Sequence, residues 1–410
     1  MALIVQKFGG TSIATPEKIK AVAERVLRRQ KQGNQMVVVL SAMAGETNRF
    51  IDMARQIQES PDEREMDVLL ASGEQVTIAL FAMAVKAAGY DAVSLLGDQV
   101  KIITDGMHTK ARIKSIDITA IVNNLRKNKV VVVAGFQGVT EDDDLTTLGR
   151  GGSDTTAVAL AAVLRADKCE IFTDVEGVYT TDPGVYAAAR KIDRITYDEM
   201  LELSSLGAKV LDIRAVGLAK RYNVPLHVRS TFTENEGTWV VEENKNMESV
   251  LVSGLTYSKN EARITISKVH DIPGIAAKIF TPISEAGIIV DMIIQNTRAG
   301  EMTDMTFTVP RLDYQKSLNI IKNLEIAGAG HVSGSDSIAK ISIVGVGMRN
   351  HTGIATTVFR VLAEEGINIQ MISTSEIKVS CVIDEKYTEL AIRSLHDVFA
   401  LGDDNPPTIE

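Results

Sequence analysis

The sequence predicts an α/β chain in which a mostly parallel sheet, sandwiched by helices, fills residues 1–246. Two ferredoxin-like βαββαβ modules follow at 247–335 and 336–410. Three observations carry this reading. Short β-branched apolar runs alternate with stretches of helical period through the first half. The runs are apolar on both faces, as expected of parallel strands covered by helices on each side. The second half repeats itself, its glycine and methionine positions recurring 79 residues apart and the strands before them 77 apart.

Leu3–Val5 reads as the first strand. A Gly-Gly turn follows it, then a helix over Pro16–Gln30. Met36–Leu40 is a second buried strand, with helical periodicity around Asn48–Glu59 and Glu65–Ala88. Val130–Ala134 and Glu170–Thr173 are further strands, separated by a helix over Asp154–Ala166. Near Val228–Met247 the character changes. Thr233-Glu234-Asn235-Glu236-Gly237-Thr238 reads as a turn and Glu242–Glu248 is polar, so the domain boundary is placed there.

Beyond it, Gly274-Ile275-Ala276 and Phe280 recur as Gly353-Ile354-Ala355 and Phe359. Gly287-Ile288 and Met292-Ile293 recur as Gly366-Ile367 and Met371-Ile372. Each copy is preceded by an alternating strand, Ala262–Ile266 or Ala339–Ile343, and continues into another, Met305–Val309 or Lys378–Ile383. The pattern per copy is strand, helix, strand, strand, helix, strand.

Composition sets the functional bounds. The chain has 410 residues, 45% of them hydrophobic and 24% charged, which suits a multidomain globular protein. A net charge of −9 gives no general basic field for nucleic acid or anionic lipid, so a bound phosphate needs a local site. Cys169 and Cys381 stand far apart without companion ligands, against a disulfide framework or zinc cluster and in keeping with a reducing cytoplasm. Met1–Gly10 is too short an apolar run for a signal-peptide core. Val130–Ala134 and Thr155–Leu164 are too short or too interrupted to cross a bilayer.

Two glycine-rich loops and one acidic turn carry the candidate chemistry. Lys7-Phe8-Gly9-Gly10-Thr11-Ser12 follows the first strand directly; its glycines let backbone N–H groups approach a phosphate, and Lys7 offers a point charge. Gly149-Arg150-Gly151-Gly152-Ser153-Asp154 opens an apolar helix, whose N-terminus attracts anions, and Arg150 suits a carboxylate or phosphate. Thr173-Asp174-Val175-Glu176-Gly177-Val178-Tyr179, then Thr181-Asp182-Pro183, sets acidic residues just beyond a buried strand. Each taken alone also reads as an ordinary turn or capped helix start. No Walker P-loop, dinucleotide fingerprint or protein-kinase signature occurs, and no Ser-His-Asp or metal-ligand spacing is visible.

Together these loops resemble the aspartate kinase signature of the amino acid kinase family. Ser41-Ala42-Met43 through Thr47-Asn48, Ser72-Gly73-Glu74 and Gly207-Ala208-Lys209-Val210-Leu211 extend the resemblance, which spans essentially the whole chain. The C-terminal repeat resembles a pair of ACT domains, with Met371–Ile377 typical of the second. The resemblance implies an amino acid kinase fold and transfer of the γ-phosphoryl of ATP to the side-chain carboxylate of L-aspartate. It also implies feedback by lysine or threonine, a first step of lysine, threonine and methionine synthesis, and a cytoplasmic homo-oligomer.

It further implies residue roles. Lys7, Asp154 and Lys209 would be catalytic. Lys7, Phe8, Gly9, Gly10, Ser41, Thr173, Asp174, Tyr179, Asp182, Lys209 and Val210 would bind ATP. Thr47, Glu74, Arg150, Gly151, Gly152 and Ser153 would bind aspartate, Glu74 suiting the ammonium and Arg150 the α-carboxylate. Gly274, Ala276, Asp291, Gln295, Asn368 and Ile369 would hold the effector. Mg2+ would ride on the ATP phosphates without a dedicated protein cage. The chain departs from many relatives at Gly184 (Arg), Asp212-Ile213 (His-Pro) and Thr352 (Pro or Ala).

Aspartate's side chain, with an unperturbed pKa of about 3.9, is already ionised at neutral pH, so its phosphorylation needs no general base. The obstacle is repulsion: two unit charges ~4 Å apart cost roughly 4 kcal/mol at an effective dielectric of 20. A glutamate or N-acetylglutamate kinase of the same fold is the nearest rival reading. An amino-acid sensor with a silent kinase half is the rival from another class.

Overall fold

The computed structural model describes residues 1–206, 210–243, 251–298, 301–324, 331–351 and 353–403. The chain divides into two units. One comprises Met1–Tyr179, Lys191–Ser205 and Lys209–Lys245; the other takes Thr180–Arg190, Leu206–Ala208 and Asn246–Glu410.

An eight-stranded sheet forms the first unit. Strand Leu3–Phe8 lies at its middle, parallel to Gln35–Leu40 on one side and to Lys168–Thr173 on the other. Val130–Ala134 and then Ala92–Leu95 extend the first side, both parallel. Leu226–Ser230 extends the second side in parallel, and Thr238–Val241 joins it antiparallel. All five residues of Val130–Ala134 are buried, which explains their unbroken apolar run.

Helix Pro16–Lys31 is started by Thr15, whose side chain accepts from the Lys18 N–H, with Pro16 in the first turn. Its buried face (Ile19, Val22, Val26) meets Ile4, Phe8, Phe81 and Val85 in the core. Helix Gly152–Leu164 is buried along nearly its whole length, including Ala157, Val158, Leu160 and Ala161. The predicted helices appear as Glu46–Ile57 and Glu63–Ala87, shifted by a residue or two as capping decides.

The periodicity did not reveal a small second sheet in this unit. It comprises Ile113–Ile116, Ile102–Thr104, Gln137–Val139 and Leu145–Thr147, in that spatial order. Its three- and four-residue strands are too short to set a pattern. Helix Glu63–Ala87 is long and apolar enough for a bilayer by length and composition, yet half of its apolar window is buried in the protein. It also carries Asp67 and Glu74 inward, the mark of a core helix.

In the second unit, Ile293–Arg298, Met302–Pro310, Glu261–His270 and His331–Ser335 make one four-stranded antiparallel sheet. Helices Ile275–Glu285 and Tyr314–Lys322 complete a βαββαβ module. The other sheet runs Gly254–Ser258, Ile338–Val344, Lys378–Asp384, Met371–Ser375, with helices Ile354–Glu364 and Thr388–Val398. Its outer strand, Gly254–Ser258, comes from before the first module and fills the edge that His331–Ser335 fills in the other sheet. The repeated glycines Gly274 and Gly353 sit at positive φ (90° and 101°) at the two helix starts, a conformation that favours residues without a Cβ.

Candidate active site

The candidate site is a cavity of about 470 Å³ at the carboxyl ends of the central parallel strands. Open α/β sheets bind ligands at that end, where successive connections leave in opposite directions. Strand Leu3–Phe8 delivers Lys7 and the Gly9-Gly10 turn. Lys7 Nζ lies 2.6 Å from Asp154 Oδ1, a close ion pair between two largely buried side chains. Phe8 does not line the cavity; it is fully buried and stacks on Phe172 with ring centroids 4.6 Å apart. The Gly9 N–H donates to the Phe172 carbonyl at 3.3 Å. At Gly10 a Cβ would come within 2.7 Å of the Ala42 carbonyl, so glycine is needed for the turn to pass.

The next strand, Gln35–Leu40, delivers Ser41 and Ala42. The Ala42 N–H donates to Glu74 Oε1 at 2.8 Å, and the Thr77 hydroxyl donates to the Ser41 carbonyl at 2.9 Å. Glu74 is 3% exposed. Its second oxygen, Oε2, is buried without a partner among the described residues. Burial pushes this carboxyl up to about 7, with the Ala42 N–H opposing the rise. A buried, unpartnered carboxylate oxygen lining a cavity is a receptor for a cation.

The second glycine loop closes the cavity. Gly149, Arg150, Gly151, Gly152, Ser153 and Asp154 all line it, as does Thr47 across from them. Gly151 has φ +71°, and a side chain there would collide with Asp212. Asp212 caps helix Ile213–Tyr222 through the Arg214 and Ala215 N–H groups. Asp212 is thus a capping aspartate packed on the loop.

Four side chains that hold this loop escaped the sequence reading. The Asp67 carboxylate, wholly buried, accepts from the Thr147 hydroxyl, from the Thr109 N–H at 3.0 Å, and pairs with His108 Nδ1 at 2.8 Å. Arg214 donates to the Leu148 carbonyl and, at 3.2 Å, to that of Arg150. Asp67 stands two helical turns before Glu74 on the same face of an otherwise apolar helix, which was the one available sequence signal.

Of the residues expected at ATP, Lys7, Gly10 and Ser41 line the cavity. Thr173 ends the strand beside Leu3–Phe8, and its hydroxyl donates to exposed Asp174 at 3.0 Å. Tyr179 is half-buried, its pKa raised by burial and by Glu176. Val210 is half-buried. Asp182 falls in the second unit, where it accepts from the Gly184 N–H at 2.8 Å and the Tyr257 hydroxyl at 3.3 Å. Lys209 and Thr352 lie outside the described residues.

The expected effector residues are all in the second unit. Gly274 starts a helix whose first turn exposes Ala276. Asp291 pairs with buried Lys340, which also meets Glu261 at 2.5 Å. Gln295 donates to Asp271 at 3.3 Å. Asn368 is exposed, and Ile369 packs against the core of the second module.

Comparison with known proteins gives concordant results. Residues 2–230 match the amino acid kinase family, and residues 263–326 and 341–399 each match the ACT domain. The chain is 57% identical to an aspartate kinase of Stutzerimonas stutzeri, over 98% of each chain. It is 50% identical to an aspartokinase of Geobacillus stearothermophilus, again over 98% of each. Among solved structures, E. coli aspartokinase III in complex with aspartate and ADP superposes with a TM-score of 0.80. Identity there is 26%, covering 96% of this chain and 99% of that one. The same enzyme in complex with lysine and aspartate gives 0.76 at 26% identity, covering 97% and 99%.

Proposed function

The chain belongs to the aspartate kinases of the amino acid kinase family, and from that premise we propose that its cavity phosphorylates the L-aspartate side chain with ATP, giving 4-phospho-L-aspartate. The observation that carries this reading is Glu74, whose buried oxygen lacks a partner among the described residues, in the same cavity as the Lys7–Asp154 pair. An α-ammonium would satisfy Glu74, and Arg150 would take the α-carboxylate in a bidentate grip. Thr47, Ser153 and the Gly151-Gly152 backbone would fix the rest of the substrate.

The β-carboxylate is then aimed at the γ-phosphorus, needing orientation and charge cancellation but no proton removal. Lys7 supplies the positive charge where negative charge gathers in the transition state. Asp154 holds the Lys7 ammonium in place. The Gly9-Gly10 turn would lie against the phosphate oxygens, with the Gly10 N–H as a donor since that of Gly9 is taken by the Phe172 carbonyl; Thr173, Asp174, Tyr179, Asp182 and Val210 would hold the nucleotide, and Lys209 would assist at its phosphates. Among the described residues no group of three or more His, Cys, Asp or Glu could hold a metal ion. Mg2+ would therefore be carried chiefly by the ATP phosphates, neutralising their charge.

Regulation by lysine or threonine is assigned to the paired ACT modules, and lysine is present in the E. coli aspartokinase III complex named above. Gly274, Ala276, Asp291, Gln295, Asn368 and Ile369 would form the effector site. Asp291 and Gln295 would exchange their present partners, Lys340 and Asp271, for the effector's amine. An effector inhibits only by binding the less active state more tightly. Exposed Ile289, Ile293 and Ile372 on these modules suit pairing between copies in a homo-oligomer. Buried free thiols, Cys169 and Cys381, suit a cytoplasmic enzyme opening the route to lysine, threonine and methionine.

Trapping the acyl phosphate as its hydroxamate tests the reaction directly. Product is expected with Mg-ATP and L-aspartate, little with L-glutamate, and less with aspartate when lysine or threonine is added. Folded, ATP-binding protein that yields product with glutamate alone, or none at all, contradicts the reading.

The loop anchored by Asp67 gives a second test. Asp67→Asn keeps the volume but removes the buried charge that accepts from Thr147 and Thr109. We expect KM for aspartate to rise about tenfold, consistent with about 1.4 kcal/mol, while KM for ATP stays within twofold. An equal rise in both constants would mean general loosening of the fold instead.

A further inference from the structure

Gln6 and Lys7 are neighbours on one strand, so their side chains leave on opposite faces of the sheet. Lys7 enters the catalytic cavity. Gln6 lines a different pocket of about 300 Å³, beneath helix Pro16–Lys31. Arg25, Arg28 and Arg29 reach this pocket from the helix and Arg229 from strand Leu226–Ser230. The one carboxylate among the lining residues is Glu234.

The charges there are not balanced. Glu234 is exposed and shares a single oxygen, Oε1, between Arg25 and Arg28, each at 3.0 Å. Among the described residues, Arg29 donates only to the side chain of Gln32, at 3.5 Å. Arg229 is 8% exposed; its Nη2 donates to the Glu234 and Asn235 carbonyls at 3.5 and 3.4 Å, while its Nε–H has no partner among the described residues. Glu170 lies under the pocket but is engaged elsewhere, by Lys168 and Gln6 at 2.6 Å each; its approach to Arg229 is loose, at 3.8 Å. Burial comes first in lowering the pKa of Arg25, and repulsion from Arg229 and Arg28 adds to it against the attraction of Glu234 and, more weakly, of Glu170. Arg25 and Arg229, both largely buried, repel one another and favour an added anion, with exposed Arg28 at the rim.

We propose that this pocket is a second phosphate site, separate from the catalytic cavity, which takes inorganic phosphate or the phosphoryl group of a small metabolite. Guanidinium groups converging from a helix and a strand suit a tetrahedral dianion, whose oxygens outnumber those of a carboxylate and accept in paired N–H···O fashion. The unpartnered Gln6 Oε1 accepts from the hydroxyl of a protonated phosphate. The Phe172 ring forms one wall, with the Arg25 and Arg229 guanidiniums 5.1 and 5.8 Å from its centroid. That ring also stacks on Phe8, beside the Lys7 loop, so the bound anion abuts the catalytic strand.

The test is calorimetric titration of inorganic phosphate into the full-length enzyme saturated with a non-hydrolysable ATP analogue, in low-chloride buffer. The expected result is one saturable phosphate per chain, weakened at least tenfold in Arg28→Gln/Arg29→Gln, two positions at the pocket rim. The double variant should keep wild-type kcat in phosphate-free buffer, which separates this site from the catalytic one. Arg229→Lys, which keeps the charge and loses the fork, should weaken binding as well. A parallel titration with glycerol 3-phosphate separates the sources: tighter binding than phosphate assigns the pocket to a phosphoryl metabolite, weaker binding to free phosphate. Loss of all saturable binding once the nucleotide site is filled, or undiminished binding in the double variant, overturns the proposal.

Discussion

Lys7→Met should lower kcat about 10²–10³-fold, the range seen when one preorganised donor to a developing negative charge is removed. KM for ATP should change far less, because Lys7 counts most where charge gathers in the transition state. The same change strands Asp154, whose carboxylate is only 11% exposed and loses its partner at 2.6 Å. A stability loss of about 2–3 kcal/mol should therefore accompany it. The two effects separate in the double variant Lys7→Met/Asp154→Asn. Removing the stranded charge should restore most of the stability to urea unfolding and none of the turnover. Near-normal kcat in either variant would remove Lys7 from the chemistry.

Glu74→Gln should act in opposite directions on function and on stability. The glutamine still accepts from the Ala42 N–H but cannot pair with an ammonium. Loss of a buried charge partner typically costs about 2–5 kcal/mol, so kcat/KM for aspartate should fall roughly 30-fold or more. In the wild type, Glu74 must be ionised to receive the ammonium, and its carboxyl sits at about 7 in the empty site. The wild-type kcat/KM for aspartate should therefore rise with pH through about 7 and level off above it. The variant should lack that rise.

Stability follows the opposite course. A carboxyl raised from 4.5 to about 7 binds its proton more tightly folded than unfolded. The proton-linked stabilisation is full below the unfolded pKa and is lost as pH rises through 7. By pH 8 the buried charge costs the wild type up to about 3 kcal/mol, a burden that the neutral glutamine variant does not carry. Thermal unfolding should show the variant ahead at pH 8 and level with the wild type near pH 4. A wild-type advantage at pH 8 would mean that Glu74 already has a cationic partner in the empty enzyme.

The lessons for reading sequence lie in particular elements. Val130–Ala134 announced itself because parallel strands are buried on both faces and tolerate only apolar side chains. The two glycine loops were legible because Gly10 and Gly151 stand where any side chain would strike Ala42 or Asp212. The three-residue strands around Gln137–Val139 left no period to detect. The role of Asp67 was hidden because its partners, Thr109 and Thr147, are distant in sequence.

By itself, the sequence determined what local rules and internal repetition can encode: the alternation of strand and helix, the glycine turns, and the doubled module. Tertiary structure alone decided which distant groups meet. It placed Lys7 against Asp154, buried one oxygen of Glu74 without a partner among the described residues, and brought Arg229 of a distant strand to the arginines of helix Pro16–Lys31. It also sent Gly254–Ser258 past the first module to the edge of the second sheet. The physical reason is that strand pairing, burial and Coulomb interaction depend on distance in space, which spacing along the chain does not fix until the core has packed.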